Sequence, residues 1–561
     1  MTLLSINKWI FEFYIPHGNN IRAQAPGDPM SKIQTLPALQ PAPRFTLPTP
    51  SLHGLAWALP WLLPLGLFLL WWVASERLWM SEQILPAPAV VWQSALEFGS
   101  GELWGHLWIS LQRLLWGLLA GVAGGVLLGS WLGLSRRAEA LVYPTFVALA
   151  QIPTLAWIPL FMLFFGIGET LKLVVLIKAV VVPVTLHVLV GVRDAQPRLR
   201  EAAAVLRLPP RLLFWRLVLP GALPAFMAGL RLALATGWTS LLAVELLASS
   251  EGIGYLMVWG RQLFMLDLVF VCILVIGLVG ALMDRGINRL DALLLFWPHP
   301  ATGQQNRGPR LQGWQRLQAG LLPLAIVALW QATAGFGWVD ANILASPLDV
   351  LRSLQQGLTD GSLPSAMGAS LQRALLGLLI GGACGLLLGL LLGLSTLAER
   401  LTGPSLSALR QVAIFAWVPL LTAWFGLGEA AKLAFVSLAA FFPLFIATQR
   451  GVAGLSPQLG EAAQVLRLGL GKRLRLLVLP GAAPAIFAGL RLSLIYAWLG
   501  TIGAEYFMPS DGGIASYMLG AQQLFRMDQV MAAMLLVGLV GALLGTLGQR
   551  IETRATRWRT A

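Results

Sequence analysis

"SLQRLLWGLLAGVAGGVLLGSWLG", running from Ser110 to Gly133, is the stretch that decides the fold. Its one charge is Arg113, after which the chain stays apolar or small for about 20 positions, the length a helix needs to cross a bilayer. Gly121, Gly125, Gly129 and Gly133 recur every fourth residue. In water each such glycine would cost a helix roughly 1 kcal/mol relative to alanine. In lipid, where every backbone amide is satisfied within its own segment, glycine is common and lets a second helix come close. The stretch reads as a membrane helix with one packing face.

The same pattern returns. SLQR occurs at 110–113 and 370–373, AWIPL at 156–160 answers AWVPL at 416–420, and GIGE at 166–169 answers GLGE at 426–429, always 260 positions on. The glycines return as Gly381, Gly385, Gly389 and Gly393. Apolar segments fall near 54–74, 107–133, 142–165, 169–192, 223–247 and 264–284, then near 318–335, 366–393, 402–425, 429–449, 483–507 and 524–547. The expected fold is therefore all-α and polytopic, with about 12 transmembrane helices. Six is even, so both halves enter from the same side and the two six-helix repeats are parallel. Between the first two segments, ILPAPAVVWQSALEF reads as a short amphipathic helix at the outer surface.

The expected organisation is a lead over 1–53, a first transmembrane domain over 54–285, a linker over 286–316, a second transmembrane domain over 317–550 and a tail over 551–561. The lead is Pro-rich and lacks the pattern of a signal peptide, so it reads as a flexible cytoplasmic segment. Met30, followed by SKIQTLP, is an alternative start.

Composition agrees. Of 561 residues 57% are hydrophobic and 11% charged, against about 25% charged in soluble domains. The net charge of +14 is dispersed between apolar segments, which argues against nucleic acid as a partner and for membrane lipid. Cys272 and Cys384 both fall in apolar runs, so neither a disulfide framework nor a metal site is expected. The basic clusters Arg136–Arg137, Arg193–Arg216, Arg307–Arg316, Lys472–Arg475 and Arg550–Arg559 all fall on one side of this topology. Lys and Arg bias loops to stay inside, so that side is the cytoplasm and both termini lie there.

No phosphate-binding loop is present. GLGKRL at 469–474 lacks the Ser or Thr that would follow its lysine. No Ser–His–acid or H-E-x-x-H arrangement appears either. The chain reads as no enzyme, with no cofactor of its own, and uphill transport would draw on another subunit or an ion gradient.

Charges inside the apolar segments are few, which makes each informative. Arg113 and Arg373, Lys172 and Lys432, and Glu169 and Glu429 lie near segment ends, where long side chains are expected to snorkel to water. Glu245 and Glu505 cannot reach far and, with Trp238 and Trp498 on the same segments, are the candidates for the pathway. Lys178 has no counterpart, since Leu438 occupies its place in the second half, so any role for it makes the halves unequal.

The basic islands between the fourth and fifth segments are the other candidate. EAAAVLRLPPRLLFWRLVLPGALP (201–224) returns as EAAQVLRLGLGKRLRLLVLPGAAP (461–484), with its ends kept and its middle free. A short helix from Glu201 ends near Leu206, Pro209 and Pro210 break it, and LVLPG opens the fifth membrane helix. Fixed ends and a free middle suggest a docking element for a cytoplasmic partner.

The pattern E-A-A, a variable stretch, then L-P resembles the loop of permease subunits of bacterial ATP-binding-cassette importers. QIPTLAWIPLFMLFFGIGETLK, GWVDANILASPLDVL and EGIGYLMVWGRQLF look like the nitrate/sulfonate/taurine branch of that family, and the likeness covers about 54 to 550, twice over. The resemblance implies the type I importer permease fold in an inner membrane, with two fused permease domains. It implies two cytoplasmic ATPase subunits, which hold the ATP and Mg, docking at Glu201, Ala202, Ala203, Arg207, Leu219, Pro220 and Gly221, and at Glu461, Ala462, Ala463, Arg467, Leu479, Pro480 and Gly481. It further implies a periplasmic or lipid-anchored substrate-binding protein and a small oxyanion such as a sulfonate, taurine or nitrate as substrate. Three departures stand out. Arg207 and Arg467 occupy a position where the family usually has Gly, Ala413 replaces Pro153, and DGGIASY replaces EGIGY with an insertion. The alternative, an ion-coupled secondary transporter with two parallel repeats, would want ionisable residues near the bilayer midplane.

Overall fold

In a computed structural model the described residues are 58–99, 101–193, 203, 205–295, 314–336, 338, 344–509 and 512–559. The lead over 1–53, Glu201, Ala202 and most of the expected linker lie outside them. Among the described residues every regular element is helical. The first half comprises α1 (Leu59–Glu76), α2 (Pro88–Gly99), α3 (Glu102–Leu134), α4 (Arg136–Ala150), α5 (Ile158–Phe165), α6 (Glu169–Arg193), α7 (Leu219–Ala248), α8 (Ile253–Gln262) and α9 (Leu266–Leu294). The second repeats the order as α10 (Trp314–Gly335), α11 (Pro347–Thr359), α12 (Ser362–Leu394), α13 (Thr396–Gln411), α14 (Val418–Phe425) and α15 (Glu429–Ala453). Then come α16 (Pro457–Val465), α17 (Leu479–Phe507), α18 (Ile514–Gln523) and α19 (Met527–Ala555).

Among the described residues nine helices are long and apolar enough to cross a membrane, and two bent pairs raise this to eleven. The shorter apolar stretch Gly320–Gly335 of α10 stands where the twelfth was expected. Trp61, Leu69, Trp116, Leu127, Leu379 and Leu387 are more than half exposed, an outer surface that suits acyl chains and not water.

The glycine ladder does what its spacing implied. A methyl group on Gly125 would stand 2.7 Å from Val184 Cβ on α6, and one on Gly381 would stand 2.0 Å from the Ser437 carbonyl oxygen on α15. α3 therefore lies directly on α6, and α12 on α15. Ser135 and Ser395 end those long helices and start the next ones, in extended backbone, each hydroxyl accepting from the amide three residues on (Ala138 and Ala398, both 3.2 Å).

Three expectations need correction. The third span of each half is broken: α4 meets α5 at 91° and α13 meets α14 at 94°, each through a 3₁₀ turn, Thr154–Trp157 and Ile414–Trp417. Pro153 suits the first break, because it removes a donor and keeps the residue before it out of helix. Ala413 makes the second with almost the same backbone angles (φ −59°, ψ 136° against −52°, 143°), so packing, not proline, fixes the bend. Second, Pro220 and Pro480 do not open the fifth span. Helix runs back from each through a π turn, Phe214–Val218 or Leu474–Val478, to Pro210 or Leu470. A wider turn just ahead of the proline accommodates its missing N–H. Third, α9 and α19 extend to Leu294 and Ala555, past the expected ends of their domains.

The halves interlock. α1 packs along α13 of the second half, and α10 along α4 of the first. The cores are shared too: Ile152 and Leu155 join Phe415, Trp498 and Val537 in one cluster, while Ala413 and Leu420 join Val269 and Ile276 in another.

Candidate functional site

The two loops fold alike. Ala203 and Ala463 are buried, while Val205 and Leu206 are 84% and 70% exposed and Val465 and Leu466 are 82% and 68% exposed. Each short helix then ends with its amide chain folding back: Leu208 N donates to Ala203 O (3.1 Å), Leu468 N to Ala463 O (3.0 Å), and Arg467 N to Gln464 O (2.9 Å). This is a Schellman closure, which places the residue after the helix in the left-handed region. That residue is Arg207 (φ 49°) in one loop and Arg467 (φ 47°) in the other. The arginines thus make the turn that glycine makes elsewhere, at a cost of roughly 1–2 kcal/mol.

Glu461 is exposed on α16, and Ala462 lies on the same helix. The LPG end of the motif has a packing cause. Val218 and Val478 are buried, Val478 against Val452 and Ala482, and a methyl on Gly481 would meet Leu455 at 2.5 Å. Leu219, Pro480, Leu479 and Gly221 are exposed, and Pro220 is half-buried. Sequence reasoning missed Val205, Leu206, Val465 and Leu466. The signal was there: V-L-R-L is kept between the variable residues of both copies.

A pair of buried ion networks occupies the far end of the helices, where α3, α6 and α7 meet, and again where α12, α15 and α17 meet. Arg113 grips Glu169 with two hydrogen bonds (2.7 and 2.6 Å) and reaches Glu245 (2.9 Å) and the Glu251 carbonyl (2.8 Å). The Ser110 hydroxyl and Gly254 N donate to Glu245 at 2.8 and 3.1 Å, while Lys172 reaches Glu169 at 2.7 Å. In the second half Arg373 grips Glu429 (2.6 and 2.7 Å) and reaches Glu505 (2.8 Å) and the Gly512 carbonyl (2.9 Å). Ser370 and Ala515 N complete Glu505 at 2.6 and 2.9 Å. The inserted residue of DGGIASY falls ahead of Gly512, leaving Gly513 to match Gly252. Both adopt positive φ (126° and 106°), and a methyl on either would strike the buried carboxylate.

The arginines and lysines therefore do not snorkel: their side chains are buried, the arginines against the enclosed Glu245 and Glu505 and all four against the half-exposed Glu169 and Glu429, Lys432 being wholly enclosed. Glu245 and Glu505 present no surface at all. Their oxygens are spent on tying a loop to three helices, and the pathway role expected of them has no open face here. Trp238 and Trp498 are buried as well, Trp498 donating to the Val537 carbonyl at 3.3 Å.

What meets at the junction of the halves is the pair of broken spans. A methyl on Gly503 would touch Phe415 at 2.7 Å and Leu155 at 3.4 Å, so the two 3₁₀ turns converge on one point of α17. The Gln411 carbonyl approaches Gly280 on α9, and the Gln151 carbonyl approaches Gly541 on α19. Each bend is thereby seated in the opposite half.

Residues 121–296 and 384–558 each match the family described as "Binding-protein-dependent transport system inner membrane component". The chain is similar to the aliphatic sulfonates transport permease protein of Escherichia coli (38% identity, 44% of this chain and 95% of that one). It is similar to the taurine transport system permease protein of the same organism (33%, 41% of this chain and 86% of that one). It also resembles the bicarbonate transport system permease protein of Synechococcus elongatus (31%, 43% and 91%). Each relative spans less than half of this chain.

Proposed function

Because the chain belongs to the family of binding-protein-dependent transport system inner membrane components, with that domain present twice, we propose that it forms the pathway of an importer for a small oxyanion. It is a membrane permease of the ATP-binding-cassette type in which two permease domains are fused. In our reading two cytoplasmic ATPase subunits, which hold the ATP and Mg, dock on the loops at Ala203–Arg207 and Glu461–Arg467. A separate periplasmic or lipid-anchored binding protein delivers the substrate, and both termini are cytoplasmic. The three relatives are named for sulfonates, taurine and bicarbonate, whose common chemistry is a compact oxyanion.

The observation that carries docking is the exposed aliphatic pair on each loop. Two adjacent side chains at 68–84% exposure on a cationic loop have no solvation reason to be apolar, and apolar surface rimmed by polar residues marks interaction sites. Closure of the two ATPases would move both loops together and, through the continuous helices α7 and α17, shift the seat of the bends.

The test is co-purification with a co-expressed ATPase subunit, comparing wild type with Val205→Asp, Leu206→Asp, Val465→Asp and Leu466→Asp combined, and with Glu201→Arg plus Glu461→Arg. Loss of the ATPase from an otherwise folded membrane protein is expected. Normal binding and normal stimulation of ATP hydrolysis in both variants would end this reading.

A further inference from the structure

Lys178 stands near the middle of α6, about 13 Å from its first residue at 1.5 Å per residue. Its Nζ donates to the Ile152 carbonyl (3.2 Å) and the Thr154 hydroxyl (3.3 Å) and lies 5.4 Å from the centre of the Trp157 ring. Arg113, Lys172, Arg373 and Lys432 each meet a carboxylate. Among the described residues Lys178 meets none. An ammonium held in lipid depth without a counter-charge is expensive, and such residues mark functional positions.

A purely structural role would be to cap the carbonyl left open at the bend between α4 and α5. The second half refutes that need. It makes the same bend, 94° against 91°, with Leu438 in place of Lys178 and Ile414 in place of Thr154. Lys178 is therefore free to serve something else. An ammonium carries three donors, and two are spent on neutral oxygens. The indole Nε1–H of Trp157, the ring beneath it, is buried and meets no acceptor among the described residues. The ammonium thus lies over the face of a ring whose own N–H is unpaired, so a positive charge and an unsatisfied donor stand one side chain apart with no carboxylate beside them. The place is also right: Ile152 abuts Gly538 and the Gln151 carbonyl abuts Gly541, both on α19 of the opposite half, and Gln151 itself is exposed.

We propose that Lys178, Trp157 and Thr154 form a one-sided anion-binding step at the junction of the halves, where a passing oxyanion takes the third ammonium donor and the indole N–H. This rests on the reading that the chain imports an oxyanion. A single weak site suits passage, since an ion bound by both halves would be slow to leave.

The experiment measures uptake of radiolabelled ethanesulfonate, with bicarbonate and nitrate as parallel substrates, in cells carrying the full importer. Lys178→Leu is expected to lower uptake at sub-saturating substrate by about tenfold or more, the worth of a charge-assisted hydrogen bond, while the ATPase still co-purifies. Lys178→Arg is expected to keep most of it. Should Lys178→Leu assemble poorly, Lys178→Cys in a Cys272→Ala, Cys384→Ala background is used, and aminoethyl methanethiosulfonate, whose adduct restores an ammonium, is expected to restore uptake. Wild-type uptake in Lys178→Leu, or no rescue by the ammonium adduct, overturns the site and leaves the importer reading intact. Failure of the wild-type chain to take up any of the three anions overturns the importer reading itself.

Discussion

Arg373→Met is the substitution whose cost the geometry defines best. Four hydrogen bonds between 2.6 and 2.9 Å hold the guanidinium, two to Glu429, one to Glu505 and one to the Gly512 carbonyl. The partners do not suffer equally. Glu429 is about half exposed (52%), so water replaces the arginine there at little cost. Glu505 is fully enclosed and would keep only Ser370 and the Ala515 amide. Breaking a buried pair from one side costs about 3–5 kcal/mol, because a charge is left without compensation, and that is the expected loss. Glu505→Gln removes the charge while leaving an oxygen for Ala515 N. The double variant is therefore expected to be no worse than Arg373→Met alone, with a coupling of about 2 kcal/mol or more. Reversible unfolding in mixed micelles measures all four corners of the cycle. Arg113→Met with Glu245→Gln repeats the test on the other network, which has the same donors and acceptors. A loss under about 1 kcal/mol for Arg373→Met, or additivity in the cycle, would refute the network as a load on the fold.

Other perturbations test separate parts of the structure. Gly381→Val should destabilise by about 3 kcal/mol or more, since its side chain would meet the Ser437 backbone oxygen. Gly124→Ala should be harmless, because its nearest neighbour stands at 3.6 Å; equal effects in the same unfolding assay would contradict the ladder. Pro153→Ala should leave the bend between α4 and α5 in place, as Ala413 does in the second half. Spin-label distances across the bend would show a straightened helix if proline were the cause. Arg467→Gly should release up to about 1–2 kcal/mol of backbone strain and slow exchange of the Leu468 amide by up to about tenfold. Faster exchange would mean that the arginine side chain, not the turn, holds the loop closed.

Much of this was legible in the sequence, and unequally so. The repeat, the order of the spans and the facing glycines come from spacing along one helix, which sequence records directly. Arg113, Glu169 and Glu245 were each visible as charges, but their meeting depends on how three helices are rotated about their axes, and no local pattern encodes that. Snorkelling was the wrong expectation for the same reason: it considers one side chain and water, not a carboxylate on the next helix. The bend at Ala413 carried no signal, since the packing of Gln411 against Gly280 fixes it from the opposite half. The left-handed turn at Arg207 and Arg467 was hinted at only by comparison with glycine at that place. The aliphatic pairs beside them show only when the two copies are aligned, because V-L by itself is ordinary in a greasy chain.

The crossed first helices set an order of events during synthesis. α1 leaves the ribosome first, yet α13, along which it packs, lies roughly 320 residues further on. At about 5–20 residues per second α1 waits some tens of seconds with that side turned to lipid or to an insertase. α10 meets no such delay, since α4 is already in the membrane when it arrives. The two symmetric seams of the finished molecule are thus made by unlike routes, one by a late arrival closing on an early helix and one by immediate docking. Drugs or mutations that slow translation between α1 and α13 should leave the first seam, and not the second, open to quality-control proteases.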